Sequence, residues 1–589
     1  MTAETLPPNW DLSQLYVFGS PELERDMKAL DEAAAGFPRW RERLADPGLS
    51  PEEFAGLLDE LARLQESLEK VMGYAELAFS EDTGDQRITS FLGVIEERAA
   101  GFANATLFFE IWWKDLPEDR AQGYLRTAAG HRYFLKRLRD YRPFTLSEPE
   151  EKVVNLKDVT GVQALVTLYD SLTGRYRFCT GFLPGGSRGE VGREELSVYY
   201  RSPDPAVRRG AYRELFRVYS AEGPVLGQIF QSLARSWRLE HVALRGYRSP
   251  QSVRNLRNDL SDEAVDSLLR VAGEEAPRVF GRYFARKAAL LKLPRLSRYD
   301  LYAPVAEEAG GSTAFAEAAA EVDAAFRGFS PRMADLAARV AAERRLSARV
   351  LPRKRSGAFC ASVLPGETPW VLMSYKGGLQ DLFTLAHELG HAVHSQLAGG
   401  EGVFQFQAAL PLAETASTFA EMLLAQRLLG RETDPLRRSS LLCHVLDDAY
   451  ATVGRQAFFA LFEVEAHAMI ERGATPDELS EAYMANLARQ FGDTMDIPPE
   501  FRWEWAAIPH FFHAPFYVYA YTFGQLLVFS LWRLFEREGA PFEGRLLKIL
   551  AKGGGASAAD ILASAGVGPL DDGFWRGGFR VIGEFVDAL

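Results

Sequence analysis

The chain has 589 residues, more than one hydrophobic core ordinarily holds, so it forms either several domains or one large helical body. Its net charge of −13 opposes phosphate binding and excludes nucleic acid as a natural partner, while 47% apolar and 25% charged residues are ordinary for a globular chain. The opening MTAETLPPNWDLSQLY carries no secretory leader, no apolar run approaches the ~20 residues of a membrane span, and the three cysteines (Cys179, Cys360 and Cys443) fit no C-x-x-C pattern, so they read as small buried hydrophobes in a reducing cytoplasm.

In chain order, residues 1–20 read as an extended arm ending in Tyr16, Val17 and Phe18. From Pro21 to Arg142 helix follows helix, with clear 3.6-residue periodicity in Pro51–Gly73 and Ile88–Trp113. No fixed-period repeat is present, so a solenoid is not expected. Residues 143–174 read as turn, helix, turn, helix, with Ser147 as an N-cap and Glu150 three residues on. RYRFCTGFLPGGSRGE (175–190) is β-prone and then Gly-rich, the pattern of a hairpin. A soft boundary near Gly192 separates an N-terminal helical region with its arm (1–191) from the remaining region (192–589). Residues 193–345 are again helical, and the basic pairs Arg208-Arg209 and Arg344-Arg345 read as solvated faces. SGAFCASVLPGETPWVLMSY (356–375) is two β-prone runs about a Pro-Gly turn, so a hairpin is predicted there. An edge strand in that place could pair with an extended peptide; a plain structural hairpin is the alternative.

The run LFTLAHELGHAVHSQL (382–397) follows at once. Its apolar positions are helically spaced and it contains His387-Glu388-Leu389-Gly390-His391, an H-E-x-x-H. On a helix His387 and His391 project from one face about a turn apart, a separation that two imidazoles can close on one Zn²⁺. Glu388 is then placed to take a proton from a water at the metal. Such a site needs a third ligand. A metzincin motif would require Gly at 394 and His at 397, but this chain has His394 and Leu397. The next acids, Glu414 and Glu421 in PLAETASTFAEMLL (411–424), lie seven apart on one face of an apolar helical run. Buried acids there require a positive partner. Glu414 is assigned as the third ligand and Glu421 as the acceptor for a zinc histidine's free N–H; the reversed roles are the alternative.

Residues 439–490 read as long amphipathic helices in which His444 and His467 match no sequence pattern of partner residues and are read as packed or exposed histidines. IPHFFHAPFYVYAYTFGQLL (508–527) concentrates His510, His513, Tyr517, Tyr519 and Tyr521, side chains suited to stabilising an oxyanion. The three tyrosines cannot share one helical face, so at least one is structural. Gly553-Gly554-Gly555 has no following G-K-[ST] and reads as a loop, ahead of a helix, a Gly turn and a final helix.

KRSGAF (354–359), VLMSYKGGLQDLFTLAHELGHAVH (371–394), ETASTFAEMLL (414–424), PHF and PFYVYAYTFG within 509–524, the GGG…ILASAGV tail (553–567) and WDLSQLY (10–16) together resemble the oligoendopeptidase F branch of the thimet-oligopeptidase-like zinc peptidases. The resemblance implies a mainly α-helical, ellipsoidal fold with a deep channel and a small β element beside the zinc helix, open to short unstructured peptides. By position it makes His387, His391 and Glu414 the ligands of one Zn²⁺ and Glu388 the general base. It places His510 and a following tyrosine near the scissile carbonyl. Relatives often carry Tyr where this chain has Phe512 and His513, so Tyr517 and Tyr521 are both named. The activity implied is cleavage of internal bonds in oligopeptides. Two alternatives remain: trimming of peptide ends in the same channel, and a peptide-binding protein without chemistry, against which the intact Glu388 argues.

Overall fold

The computed structural model describes residues 9–185, 189–305 and 312–589. The protein is mainly α-helical, with short helices and three very small sheets among the described residues. Among those residues no helix is long and apolar enough to cross a membrane. The backbone divides into two interleaved units, each assembled from three stretches of chain.

The first unit comprises Met1–Arg142, Gly310–Arg427 and Glu538–Val567. Its N-terminal part is built on the helices Pro51–Glu81 and Gln86–Asp115, which pack on each other. Ser50 and Glu53 close a capping box at the start of the first helix: Ser50 Oγ accepts the Glu53 N–H at 3.2 Å, and Glu53 Oε2 accepts the Ser50 N–H at 3.0 Å. Between these helices lies a core of aromatics including Phe54, Phe109, Trp113 and Tyr124, and the Trp113 indole N–H donates to the Leu135 carbonyl at 2.8 Å. The arm is not extended throughout, since Leu12–Gln14 makes a 3₁₀ turn; residues 1–8 lie outside the described residues. The Trp10 indole meets Trp370 edge to face at 6.0 Å, and the Asp11 N–H donates to Arg344 O at 2.8 Å. That contact ties the arm to a three-stranded sheet.

In this sheet Trp370–Leu372 is central. It runs parallel to Leu346–Ser347 and antiparallel to Phe359–Ala361, with Cys360 opposite Val371. The predicted hairpin is therefore present, and Phe359–Ala361 is an edge strand. The H-E-x-x-H run forms the helix Leu379–Leu397, packed on Pro331–Ala342 and against the sheet. Asp381 accepts the N–H groups of Lys376 and Gly378, at 2.8 and 3.1 Å, fixing where this helix begins. The Gly553–Gly555 turn is a loop, as read, and its lack of side chains has a packing use. A Cβ on Gly553 would lie 2.3 Å from Phe406 O and one on Gly554 2.3 Å from Gln407 O. The glycines let this turn lie directly against residues 405–407.

The second unit comprises Pro143–Ala309, Leu428–Arg537 and Gly568–Leu589. The long helix Asp262–Leu290 packs along the last helix, Asp572–Ala588, and Ser267 Oγ donates to Asp572 Oδ1 at 2.7 Å. Arg455–Glu471 packs on Pro476–Phe491. The 175–190 hairpin is realised as Phe178–Cys179 paired with Glu190–Val191; residues 186–188 of its turn lie outside the described residues.

Some expectations are corrected. Arg208 is buried rather than solvated, because it forms an ion pair with Asp300 at 2.6 Å and donates to the carbonyl of Ser202 at 2.7 Å. Arg345 is largely covered, its guanidinium lying over the Trp370 ring at 4.9 Å. Cys179 is exposed, since the outer face of its two-residue strand is uncovered; Cys443 is buried as read, and all three cysteines are free thiols. His467 is packed, as read.

Candidate metal centre

One helix and the start of another place three ligand atoms together within the first unit. His387 Nε2 and His391 Nε2 are 3.1 Å apart, and Glu414 Oε2 lies 3.3 Å from the first and 3.2 Å from the second. Among the described residues this is the only group of three or more His, Cys, Asp or Glu side chains so gathered. Tetrahedral zinc with bonds of about 2.0–2.1 Å has ligand atoms roughly 3.3–3.4 Å apart. The three observed separations therefore fit donors facing one small cation.

Supporting contacts orient His387 and Glu414. Glu421 Oε1 lies 2.6 Å from His387 Nδ1, so the carboxylate accepts Nδ1–H and turns Nε2 toward Glu414 and His391. Ser417 Oγ donates to Glu414 Oε2 at 2.9 Å. Burial alone would lower the His387 pKa, but hydrogen bonds to Glu414 and Glu421 overcome it and hold it well above 6.5. Burial likewise opposes ionisation of Glu414, and the two histidines reverse that and hold it far below the usual carboxylate range. Such mutual dependence marks a place where positive charge is wanted among these groups.

Glu414 is not inside the continuous helix that its spacing suggested. Leu410–Ala413 forms a single turn, Glu414 leaves it at φ −84°, ψ 0°, and the helix proper is Thr415–Arg431. The junction matters, because Glu414, a candidate ligand, sits where the chain changes direction. Gly390, inside the motif, makes the crossing possible: a Cβ there would lie 2.6 Å from Ser417 Cα and 2.7 Å from Ala416 O. Gly390 and Ser417 were not singled out in the sequence, although the glycine inside the motif and the serine three residues after Glu414 are both visible there.

A cavity of about 410 Å³ opens on this cluster, lined among others by Phe359, Cys360, Glu388, His394 and Gln407. Glu388 is 5% exposed and its Oε2 has no hydrogen-bond partner. Burial raises its pKa above the ordinary value, with His387 and His391 pulling the other way. An unpartnered buried carboxylate is costly unless a ligand or substrate uses it. His394 is buried, and its pKa is lowered to about 4 by that burial.

His510, Tyr517 and Tyr521 form a second grouping, within the second unit. Tyr521 Oη lies 3.3 Å from His510 Nε2, and the Tyr517 ring stacks on the His510 ring at 5.8 Å and 16°. Burial first, then His513 and Arg455, lower the His510 pKa. The 508–527 run is not one helix: His510–His513 and Tyr519–Glu538 are separate helices. Tyr519 is buried and accepts a hydrogen bond from Asn258 Nδ2 at 3.0 Å, so it is the structural tyrosine. His513 is paired with Asp170 at 2.7 Å.

Glu421→Gln is expected to weaken metal binding by about tenfold, the low end of such effects, because the amide oxygen still accepts Nδ1–H. Competition with a chromophoric chelator measures this, and unchanged affinity would deny Glu421 its orienting role.

The family model described as Peptidase family M3 matches residues 198–579, and that described as Oligopeptidase F matches residues 112–178. The chain is 26% identical over 567 residues to Oligopeptidase PepF of Bacillus subtilis, covering 94% of this chain and 82% of that one. In fold it is similar to a solved chain from Chlamydophila abortus (TM-score 0.86, 23% identity, 99% and 97% covered) and to oligoendopeptidase-F from Enterococcus faecium (TM-score 0.70, 22% identity, 96% and 100% covered). With a match over most of its length that includes the motif helix and the acids beyond it, this chain belongs to peptidase family M3 and is a peptidase.

Proposed function

We propose that the chain is a zinc endopeptidase that cuts internal bonds of short, unstructured oligopeptides in a reducing compartment. The observation that carries this reading is the convergence of His387, His391 and Glu414 beside the unpartnered carboxylate of Glu388. Zinc held by those three side chains would supply a Lewis acid that polarises the scissile carbonyl and acidifies water.

The chain's own groups do the rest. Glu388 Oε2 accepts a proton from the attacking water and returns it to the leaving amine nitrogen. Glu421 holds the His387 tautomer, and Ser417 holds the Glu414 carboxylate. Phe359–Ala361, paired on one side only and lining the cavity, offers backbone groups to an extended peptide. The family resemblance gives His510, with Tyr517 and Tyr521, the role of donors to the developing oxyanion.

The test is metal analysis alongside cleavage of a mixed short-peptide library read by mass spectrometry. About one zinc per chain with internal cuts, and none in folded proteins, is expected. Cuts confined to chain ends of free peptides, and lost on end-blocked ones, would replace the endopeptidase reading with end-trimming. Full zinc without any cleavage would leave a binding protein.

A further inference from the structure

Between the helices His510–His513 and Tyr519–Glu538 the chain makes a strained turn. Phe516 is buried and adopts φ 57°, a left-handed conformation that a bulky aromatic residue rarely occupies. Its N–H donates to Glu463 Oε1 at 2.7 Å, and Glu463, on the helix Arg455–Glu471, is fully buried. The carbonyl of the preceding residue, Pro515, accepts from Arg254 Nε at 3.1 Å, and the same guanidinium stands 5.9 Å over the Tyr517 ring. The Phe516 ring rests on His467, 4.5 Å away. Side chains from segments remote in sequence therefore grip two consecutive residues of a turn that would otherwise relax. On either side of that turn stand His510 and the two tyrosines that meet it.

We propose that Glu463 and Arg254 are positioning residues: they hold the Pro515–Phe516 turn in its strained form and so set the register of His510 against Tyr517 and Tyr521. The inference rests on the reading of those three as donors to the peptide's oxyanion. Glu463 itself touches none of them. Its work is done through a backbone amide, which needs an acceptor at this fully buried position.

Burial pushes the Glu463 carboxyl up to about 8, against the opposing pull of the Phe516 N–H and then of Arg254. The other titratable groups around the turn include His467, whose pKa burial lowers to about 3; Tyr517 and Tyr519, which approach Arg254; Arg257, which repels Arg254; and His510, His513 and Tyr521 on the flanking helices. A carboxyl whose folded value exceeds its unfolded value binds a proton on folding. Its contribution is whole below about 4.5 and is lost as pH rises through 8. The clamp is thus a neutral acid at neutral pH, and glutamine reproduces it.

Three variants of the metal-loaded full chain test this: Glu463→Gln, Glu463→Leu and Arg254→Met. The readouts are kcat and KM on a quenched peptide, metal content, and amide hydrogen exchange across residues 510–521. Glu463→Leu is expected to lower kcat by about tenfold or more with KM and metal unchanged, and to speed exchange in 510–521. Glu463→Gln, which keeps an acceptor oxygen for the Phe516 N–H, should keep kcat within about twofold. Arg254→Met should fall between them, and it carries the test alone where Glu463→Leu does not fold. Faster exchange with wild-type kcat in Glu463→Leu or Arg254→Met overturns the inference while leaving the proposed function standing. Equal loss in Glu463→Gln and Glu463→Leu also overturns it, because the acceptor would then not be the reason. A wild type that cuts no peptide fails the proposed function instead, and unchanged exchange in both clamp variants would then separately overturn the clamp.

Discussion

Glu388→Gln is expected to lower kcat by about 10²–10⁴-fold while the chain keeps its metal and its fold. Glutamine has the shape of glutamate and cannot take a proton, so the substitution removes one function and little else. Glu388 binds no other group through Oε2, so no hydrogen bond of that oxygen is broken. Nor is stability expected to fall, since a neutral amide costs less to bury at this 5% exposed position than a carboxylate. Thermal denaturation should show an unchanged or raised Tm, the pattern of a residue kept for chemistry at some expense to stability. Single-turnover cleavage with elemental analysis on one preparation decides it. Zinc at wild-type stoichiometry with near-normal kcat would remove Glu388 from its role; loss of zinc with loss of activity would instead make it a structural part of the centre.

Gly390→Val is expected to cost about 10²-fold in kcat/KM and to weaken metal retention, through geometry alone. Two effects oppose each other. Glycine in a helix interior is roughly 0.5–1 kcal/mol worse than alanine, so filling the position with a better helix former would favour the helix taken by itself. Against this, a Cβ at Gly390 would meet Ser417 Cα, Ala416 O and Ser417 N at 2.6, 2.7 and 2.9 Å. These are backbone atoms and cannot rotate aside. Overpacking of this kind costs about 1–3 kcal/mol, and valine adds two methyl groups to the conflict. The helices must separate, and His387 and His391 ride on one while Glu414 precedes the other. Ligand separations of 3.1 to 3.3 Å do not survive a shift on the order of 1 Å. Equilibrium dialysis against zinc measures the first effect and peptide turnover the second. Wild-type values for both would show that the crossing yields elsewhere.

The parts of this arrangement that could be read in advance are local. The H-E-x-x-H helix, the hairpin before it and the succession of long helices each depend on residues a few positions apart, and 3.6-residue or alternating spacing exposes them. Glu414 and Glu421 were identified because two acids in an apolar run need a reason. Their placement on one continuous helix failed because the chain breaks at Glu414, next to the close approach of Gly390 to Ala416 and Ser417, which spacing does not record. Arg208 was misread for a similar reason: its acid, Asp300, is 92 positions away. His513, paired with Asp170, and the clamp of Arg254 on Pro515 are equally non-local. Gly390 was visible as a letter, but the close approach that demands it exists only once two helices cross.

Because each unit is drawn from three separated stretches, synthesis from the N-terminus cannot finish either one early. The first unit awaits Glu538–Val567, whose glycine turn lies against residues 405–407, and the second awaits the final helix, which packs along Asp262–Leu290. A nascent chain that already holds the complete metal cluster still lacks segments of both bodies. Folding of such a chain leaves long loops to close and apolar surface uncovered until these later stretches are made. The interleaving therefore sets a kinetic requirement: the histidines and acids can assemble early, but the scaffold that keeps them aligned arrives last.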